Sequence, residues 1–109
     1  MNKKKRFGLV GKNISYSFSK AHFTKKFEKL ALHNYSYENF DLENIQDFPE
    51  VFKGNPAGLI GLNVTIPYKE KVAEYLDVID QDAATIGAIN TIKIEASGRK
   101  VGYNTDVYG

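Results

Sequence analysis

Two serines, Ser17 and Ser19, stand two residues apart just ahead of a helical pattern. Hydroxyls placed there, together with exposed backbone N–H groups, favour an anion such as a carboxylate. Either serine alone also serves as an ordinary helix cap. Asn63 and Thr65 close the clearest strand-like run of the chain, and Lys69 comes after them in what the spacing predicts to be the first turn of a helix. The helix dipole disfavours a cation at that position and eases loss of its proton, whereas a nearby Asp106 would pull the other way. Opposed influences of this kind suit a lysine that gives and takes a proton. From spacing alone, a surface lysine in the charged run Lys69-Glu70-Lys71 is the commoner case. Asn90 and Asp106 complete the set, and both residue types are frequent in turns and caps. The pattern supports a polar-ligand site and leaves the ligand open.

The elements that must position these residues alternate. Phe7 to Val10 reads as a buried strand and Lys12 to Ser19 as a loop. From Ser19 to Leu32, Phe23, Phe27, Leu30 and Ala31 fall on one helical face. Tyr35 to Phe40 reads as a second strand, and Asp41 to Phe52 as a shorter helix closed by the Gly54-Asn55-Pro56 turn signal. Gly58 to Val64 is the next strand, with Thr65 able to cap a helix after it and Pro67 in the first turn of that helix. Tyr68, Val72, Tyr75, Leu76 and Ile79 then hold helical spacing over three turns. Asp80 or Asp82 starts another short helix that ends at Gly87. Thr91 to Glu95 and Lys100 to Asn104 flank Ala96-Ser97-Gly98-Arg99 as a β-hairpin.

This order predicts a single α/β domain over residues 1–109, a three-layer sandwich with a mixed, mostly parallel sheet that ends in a hairpin. Ligands of open α/β sheets bind beyond the carboxyl ends of the strands. The serine pair, Asn63 and Thr65 lie there. A hairpin centred between residues 97 and 98 sets Asn90 opposite Thr105 and brings Asn90 and Asp106 to the same end.

Composition narrows the function further. Four of the 15 Lys and Arg residues cluster at residues 3–6, leaving 11 against 13 Asp and Glu, so the body of the domain is mildly acidic. The basic start is a solvated tail, and no nucleic-acid partner is expected. No cysteine is present and only two histidines, so neither a disulfide framework nor a structural zinc site is expected, and no metal is assigned. No apolar run approaches the roughly 20 residues of a membrane span. A soluble, cytoplasmic setting without membrane partners is expected. No G-x-G occurs among the nine glycines, so no dinucleotide fingerprint or P-loop is present.

The residues nevertheless resemble a known family. Asn63-Val64-Thr65-Ile66-Pro67-Tyr68-Lys69 resembles the N-V-T-[IV]-P-[FYH]-K signature of shikimate dehydrogenases. Gly87-Ala88-Ile89-Asn90-Thr91 is similar to the family's G-A-[VI]-N-T, and Asn104-Thr105-Asp106 to its N-T-D. Gly11 to Ser19 resembles the opening G-x-P-[IL]-x-H-S-x-S-P loop, with Asn13 in place of the proline, Tyr16 in place of the histidine and Lys20 in place of the final proline. The resemblance implies NADP-linked interconversion of 3-dehydroshikimate and shikimate, in the shikimate pathway to chorismate and the aromatic amino acids. It implies that Ser17 and Ser19 bind the substrate carboxylate and that Asn63, Thr65, Asn90 and Asp106 hold the ring hydroxyls. Lys69, paired with Asp106, would move the proton at the reacting oxygen. NADP would be held by a C-terminal Rossmann half that these 109 residues do not contain, so the chain by itself is expected not to turn over. A quinate-using relative, or a stand-alone binding module for a hydroxylated carboxylic acid, are the alternatives; oligomeric state is left open.

Overall fold

Lys5–Gly11 forms an interior strand, β1, and its sequence explains why. Leu9 and Val10 point to opposite faces, and both are buried. In a computed structural model that describes residues 5–15, 19–53 and 58–105, β1 pairs in parallel with β2 (Tyr35–Asp41) on one side and with β3 (Leu59–Val64) on the other. Beyond β3 the direction reverses: β5 (Thr91–Ile94) runs antiparallel to β3, and β6 (Lys100–Tyr103) antiparallel to β5. A two-residue edge strand β4 (Val78–Ile79) pairs in parallel with β6, giving the order β2-β1-β3-β5-β6-β4.

The two faces carry separate cores. On one face α1 (Ser19–Lys29) lays Phe23 and Phe27 over Leu9, Phe7 and Tyr37. The Phe23 and Tyr37 rings stack 4.7 Å apart, and Phe7 lies 5.9 Å from Phe27. On the other face Val10, Leu62, Val64, Ile89 and Ile92 pack with Phe48, Tyr68 and Val72 from two 3₁₀ helices, Ile45–Phe52 and Lys71–Tyr75, and the turn ahead of the second, and with Ala83 of α2 (Gln81–Ile86). The expected α/β class, the mixed sheet and the final hairpin are all observed.

Three elements depart from the sequence reading. Helix α1 stops at Lys29 instead of continuing to Leu32. Ala31 adopts a left-handed φ of 57°, the Leu32 N–H donates to Phe27 O at 2.9 Å and the Ala31 N–H to Glu28 O at 3.1 Å. That pair of bonds is a Schellman closure, here with alanine where glycine is usual. Leu30 is left 58% exposed instead of joining the apolar face. The helix expected over Asp41 to Phe52 is a 3₁₀ helix, Ile45–Phe52, with Pro49 inside it; proline lacks the N–H that a continuing α-helix needs. The Gly54-Asn55-Pro56 turn lies outside the described residues.

The three-turn helix expected from Tyr68 to Ile79 does not form. Thr65 caps no helix, and Pro67 sits in a turn whose Ile66–Pro67 bond is cis. Only Lys71–Tyr75 is helical. Leu76 is already extended, the Asp77 N–H donates to Lys100 O at 2.9 Å, and Val78 and Ile79 join the sheet beside Val101 and Gly102. β-branched residues favour that outcome. Gly102 makes room for it: a Cβ there would lie 2.6 Å from Leu76 Cδ1. The remaining helix expectation holds, with Asp80 accepting from the Asp82 N–H at 3.2 Å and Gly87 closing α2 at φ 82°.

Candidate functional site

Strand register gathers the candidate residues at one end of the sheet. Leu9 pairs with Asn63, Asn63 with Thr91, and Thr91 with Tyr103. The carboxyl ends of β1, β3 and β6 and the start of β5 therefore share one edge, where loops can reach a common ligand. The Asn90 backbone ties this edge together, because the Val64 N–H donates to Asn90 O at 2.8 Å and the Asn90 N–H to Tyr103 O at 3.0 Å.

The hairpin register differs from expectation by one residue, since Thr91 faces Tyr103. The expected meeting of Asn90 with Thr105 still occurs through side chains. Asn90 Nδ2 donates to Thr105 Oγ1 at 3.0 Å, and the Thr105 N–H donates to Asn90 Oδ1 at 3.0 Å. Thr91 Oγ1 donates to the same Oδ1 at 2.9 Å. With that carbonyl oxygen taken twice, Asn90 has an Nδ2–H to offer a ligand. Asn104, which the sequence reading used only as part of a motif, is buried and donates to Ala88 O at 3.1 Å, pinning the strand end beside it.

On the β1 side, Ser19 and Thr65 line a cavity of about 310 Å³ with Leu9, Lys12 and Ile14. Asn63 Nδ2 donates to the Tyr37 hydroxyl at 2.9 Å, and Tyr37 also hydrogen-bonds the Ser19 side chain. Burial pushes the Tyr37 hydroxyl above the ordinary tyrosine range, against the opposing effect of those two bonds. The first residues of the loop after Gly11 are held from beneath by β2. The Asp41 carboxylate accepts from the Asn13 N–H at 2.9 Å and from the Ile14 N–H at 3.2 Å. Asn13 has φ 58°, a conformation asparagine tolerates and proline cannot adopt. The exchange of the usual proline for Asn13 is thus matched by a bond to Asp41 that proline, having no N–H, could not make.

Lys69 lies in the turn after Pro67 and is partly buried. Its carbonyl accepts from the Ile89 N–H at 2.7 Å, which joins it to the segment that carries Asn90. Next to it Tyr68, 2% exposed, donates its hydroxyl to Leu42 O at 2.5 Å. The helix-dipole argument for Lys69 fails, because no helix starts at that residue and the 3₁₀ helix after it has only five residues. Its placement comes instead from the buried Tyr68 and the Ile89 bond. Ser17 and Asp106 lie outside the described residues, so the serine pair and the Lys69–Asp106 pair are each represented by one member.

Sequence reasoning missed Tyr37 and Asp41. Alternation along β2 puts Tyr37, Asn39 and Asp41 on one face, but nothing local says which loop that face supports. A second cavity, an apolar groove of about 330 Å³ between α1 and β5, is lined by Phe7, Phe23, Phe27, Ile60 and Leu62. It meets the polar set at Tyr37, Asn63 and Thr91. Among the described residues no group of three or more metal-binding side chains occurs, and no helix is long and apolar enough to cross a membrane.

Known proteins match this chain and its fold. The model of the shikimate dehydrogenase substrate binding domain matches residues 9–92. The shikimate dehydrogenase (NADP(+)) of Methanocaldococcus jannaschii is 46% identical over 110 residues, covering 98% of this chain and 37% of that protein. A crystal structure of shikimate 5-dehydrogenase from Thermus thermophilus in complex with shikimate superposes with a TM-score of 0.80 at 34% identity, covering 94% of this chain and 38% of the other. Quinate dehydrogenase from Corynebacterium glutamicum in complex with NAD superposes at 0.81 with 30% identity, covering 99% and 40%. The chain spans little more than a third of the length of the curated relatives it matches. From its motifs, its sheet order and these matches, the chain belongs to the shikimate dehydrogenase family, as its substrate-binding domain.

Proposed function

We propose that residues 1–109 form one domain that holds shikimate and 3-dehydroshikimate at this edge of the sheet, in a cytoplasmic NADP-dependent shikimate dehydrogenase. Ser17 and Ser19 take the carboxylate, through charge-assisted hydrogen bonds that neutral acceptors would not match. Asn63, Thr65, Asn90 and Asp106 take the ring hydroxyls, and the donor on Asn90 beside the acceptor left to Asn63 suits groups that both give and receive. Lys69, with Asp106 as its partner, passes the proton to or from the reacting oxygen. The observation that carries this reading is the shared edge, where Ser19, Asn63, Thr65 and Asn90 meet within two strands of Lys69's anchor at Ile89. Quinate is the neighbouring substrate, and comparing turnover of the two acids by the full-length enzyme separates them.

The described residues do not fit a dinucleotide. Gly11, at the turn where a doubly wound sheet would present phosphate-binding amides, has its open side filled by Thr65 Cγ2 and Ile14 Cγ2, 2.6 and 2.7 Å from where a Cβ would sit. NADP therefore falls to the part of the enzyme beyond this domain, and this chain's share is binding, orientation and proton transfer. The purified 109-residue chain should show no NADPH-dependent reduction of 3-dehydroshikimate. A hybrid that joins it to the remaining length of the Methanocaldococcus jannaschii relative should recover turnover. Activity of the chain alone, or a folded hybrid without activity, contradicts the proposal.

A further inference from the structure

Asp41, the last residue of β2, takes two successive backbone N–H groups of the loop beside it, Asn13 on one carboxylate oxygen at 2.9 Å and Ile14 on the other at 3.2 Å. Consecutive N–H groups turned toward one anion form a concave nest, and the left-handed Asn13, at φ 58°, shapes the turn for it. Ile14 is 6% exposed and packs with Leu9 and Tyr37. Asn13 and Ile14 line the same cavity of about 310 Å³ as Ser19 and Thr65, and Asp41 is not among its lining residues. The strand therefore reaches this part of the site through the loop.

An exposed carboxylate beside a proposed anion site has the wrong sign. By charge alone, removing it should tighten the binding of a carboxylic acid. The two hydrogen bonds act in the opposite sense. Asn13 lacks the ring by which proline restrains the backbone, so the turn has to be held from outside, and Asp41 holds it at two consecutive atoms.

We propose that Asp41 is a positioning residue for carboxylate recognition. Its carboxylate fills the Asn13–Ile14 nest and fixes that wall of the cavity before any ligand arrives. Ser19 then meets the ligand's carboxylate against a preformed surface, with less ordering left to be done on binding. The filled nest also keeps the loop's own N–H groups from competing with Ser19 for the anion. The inference rests on the reading of Ser19 as a carboxylate contact, and Asp41 itself need not touch the substrate.

Asp41→Ala removes the clamp and leaves the strand pairing, which runs through the backbone; the Leu42 N–H still donates to Gly11 O at 2.8 Å. Without ligand, the Asn13 and Ile14 amide protons of the unsubstituted chain should be protected from exchange with water, and D41A should expose both. With ligand, D41A should weaken shikimate binding about 5- to 10-fold, the effect of one hydrogen bond of ordinary strength. Asp41→Asn has one carbonyl oxygen for two N–H groups and should fall between the two. In a Ser19→Ala background D41A should cost less than about 2-fold, because the contact it positions is gone, whereas a general loosening of the fold would cost the same in both backgrounds. Unchanged or tighter shikimate binding by D41A, or an equal penalty in both backgrounds, would overturn the role of Asp41. Failure of the unsubstituted chain to bind shikimate at all would instead overturn the site reading, and this inference with it.

Discussion

Replacing Lys69 by alanine should lower turnover of the hybrid enzyme about 10²- to 10⁴-fold, the range of a lost general acid or base, while shikimate affinity changes far less. The backbone around Lys69 does not depend on its amine. Tyr68 on one side is buried, and the Ile89 N–H holds the Lys69 carbonyl at 2.7 Å. The substitution should therefore leave the fold intact and remove only the proton carrier. Lys69→Arg is the informative companion, since guanidinium keeps the charge but does not give up its proton at any working pH. Both variants should be slow. An arginine variant with near-normal turnover would mean that charge, and not proton transfer, is what Lys69 supplies.

The second large effect is on stability. Tyr68→Ala should cost about 3–5 kcal/mol, the usual loss for truncating a buried aromatic, out of the roughly 5–15 kcal/mol that hold a small domain folded. Tyr68 is 2% exposed, packs in the larger core with Phe48 and Val72, and donates to Leu42 O. Tyr68→Phe isolates the last contribution and should cost about 1–2 kcal/mol, because Leu42 loses its partner in a buried place. The hydroxyl also carries a pH dependence of definite sign. Burial holds its ionisation above the ordinary tyrosine value of 10.0, with Glu43, Asp47 and Asp41 adding in the same direction. The unfolded chain ionises first, so this contribution is whole below pH 10 and is lost as pH rises above it. Urea unfolding of Y68F and Y68A at about pH 7 and again above the ordinary tyrosine range checks both statements. A Y68A loss under about 1 kcal/mol would show that Tyr68 is not the anchor described.

How far the sequence alone leads differs from residue to residue. Strands β1, β2 and β3 and the hairpin are legible because their apolar runs are bounded by glycine and turn residues. Asp80 and Gly87 mark both ends of α2 for the same local reasons. Over Tyr68 to Ile79 the periodicity misleads. Tyr68 and Val72 do bury as a helix face would, yet Leu76 and Ile79 reach the same core from an extended segment and an edge strand, and no local signal separates the two routes. Pairing with β6 and the space over Gly102, both distant in sequence, decide it. In the site, Asn63, Thr65, Lys69 and Asn90 can be placed from strand ends and motifs. Tyr37 and Asp41 cannot, because their roles arise only when β2 comes to lie beneath a loop more than twenty residues earlier and beside Asn63. A helix dipole does not act on Lys69, although the residue itself sits beside the others.

The central claim is that this chain holds shikimate at the edge formed by β1, β3, β5 and β6. Titrating the isotopically labelled chain with shikimate and following its amide signals tests it most directly. Binding about millimolar is expected, since half of the ligand stays in water, with shifts concentrated at Ser19, Asn63, Thr65, Lys69 and Asn90 and extending to Ser17 and Asp106. Signals that stay still at tens of millimolar shikimate, or that move at the apolar groove around Phe23, Phe27 and Ile60 instead, would contradict it.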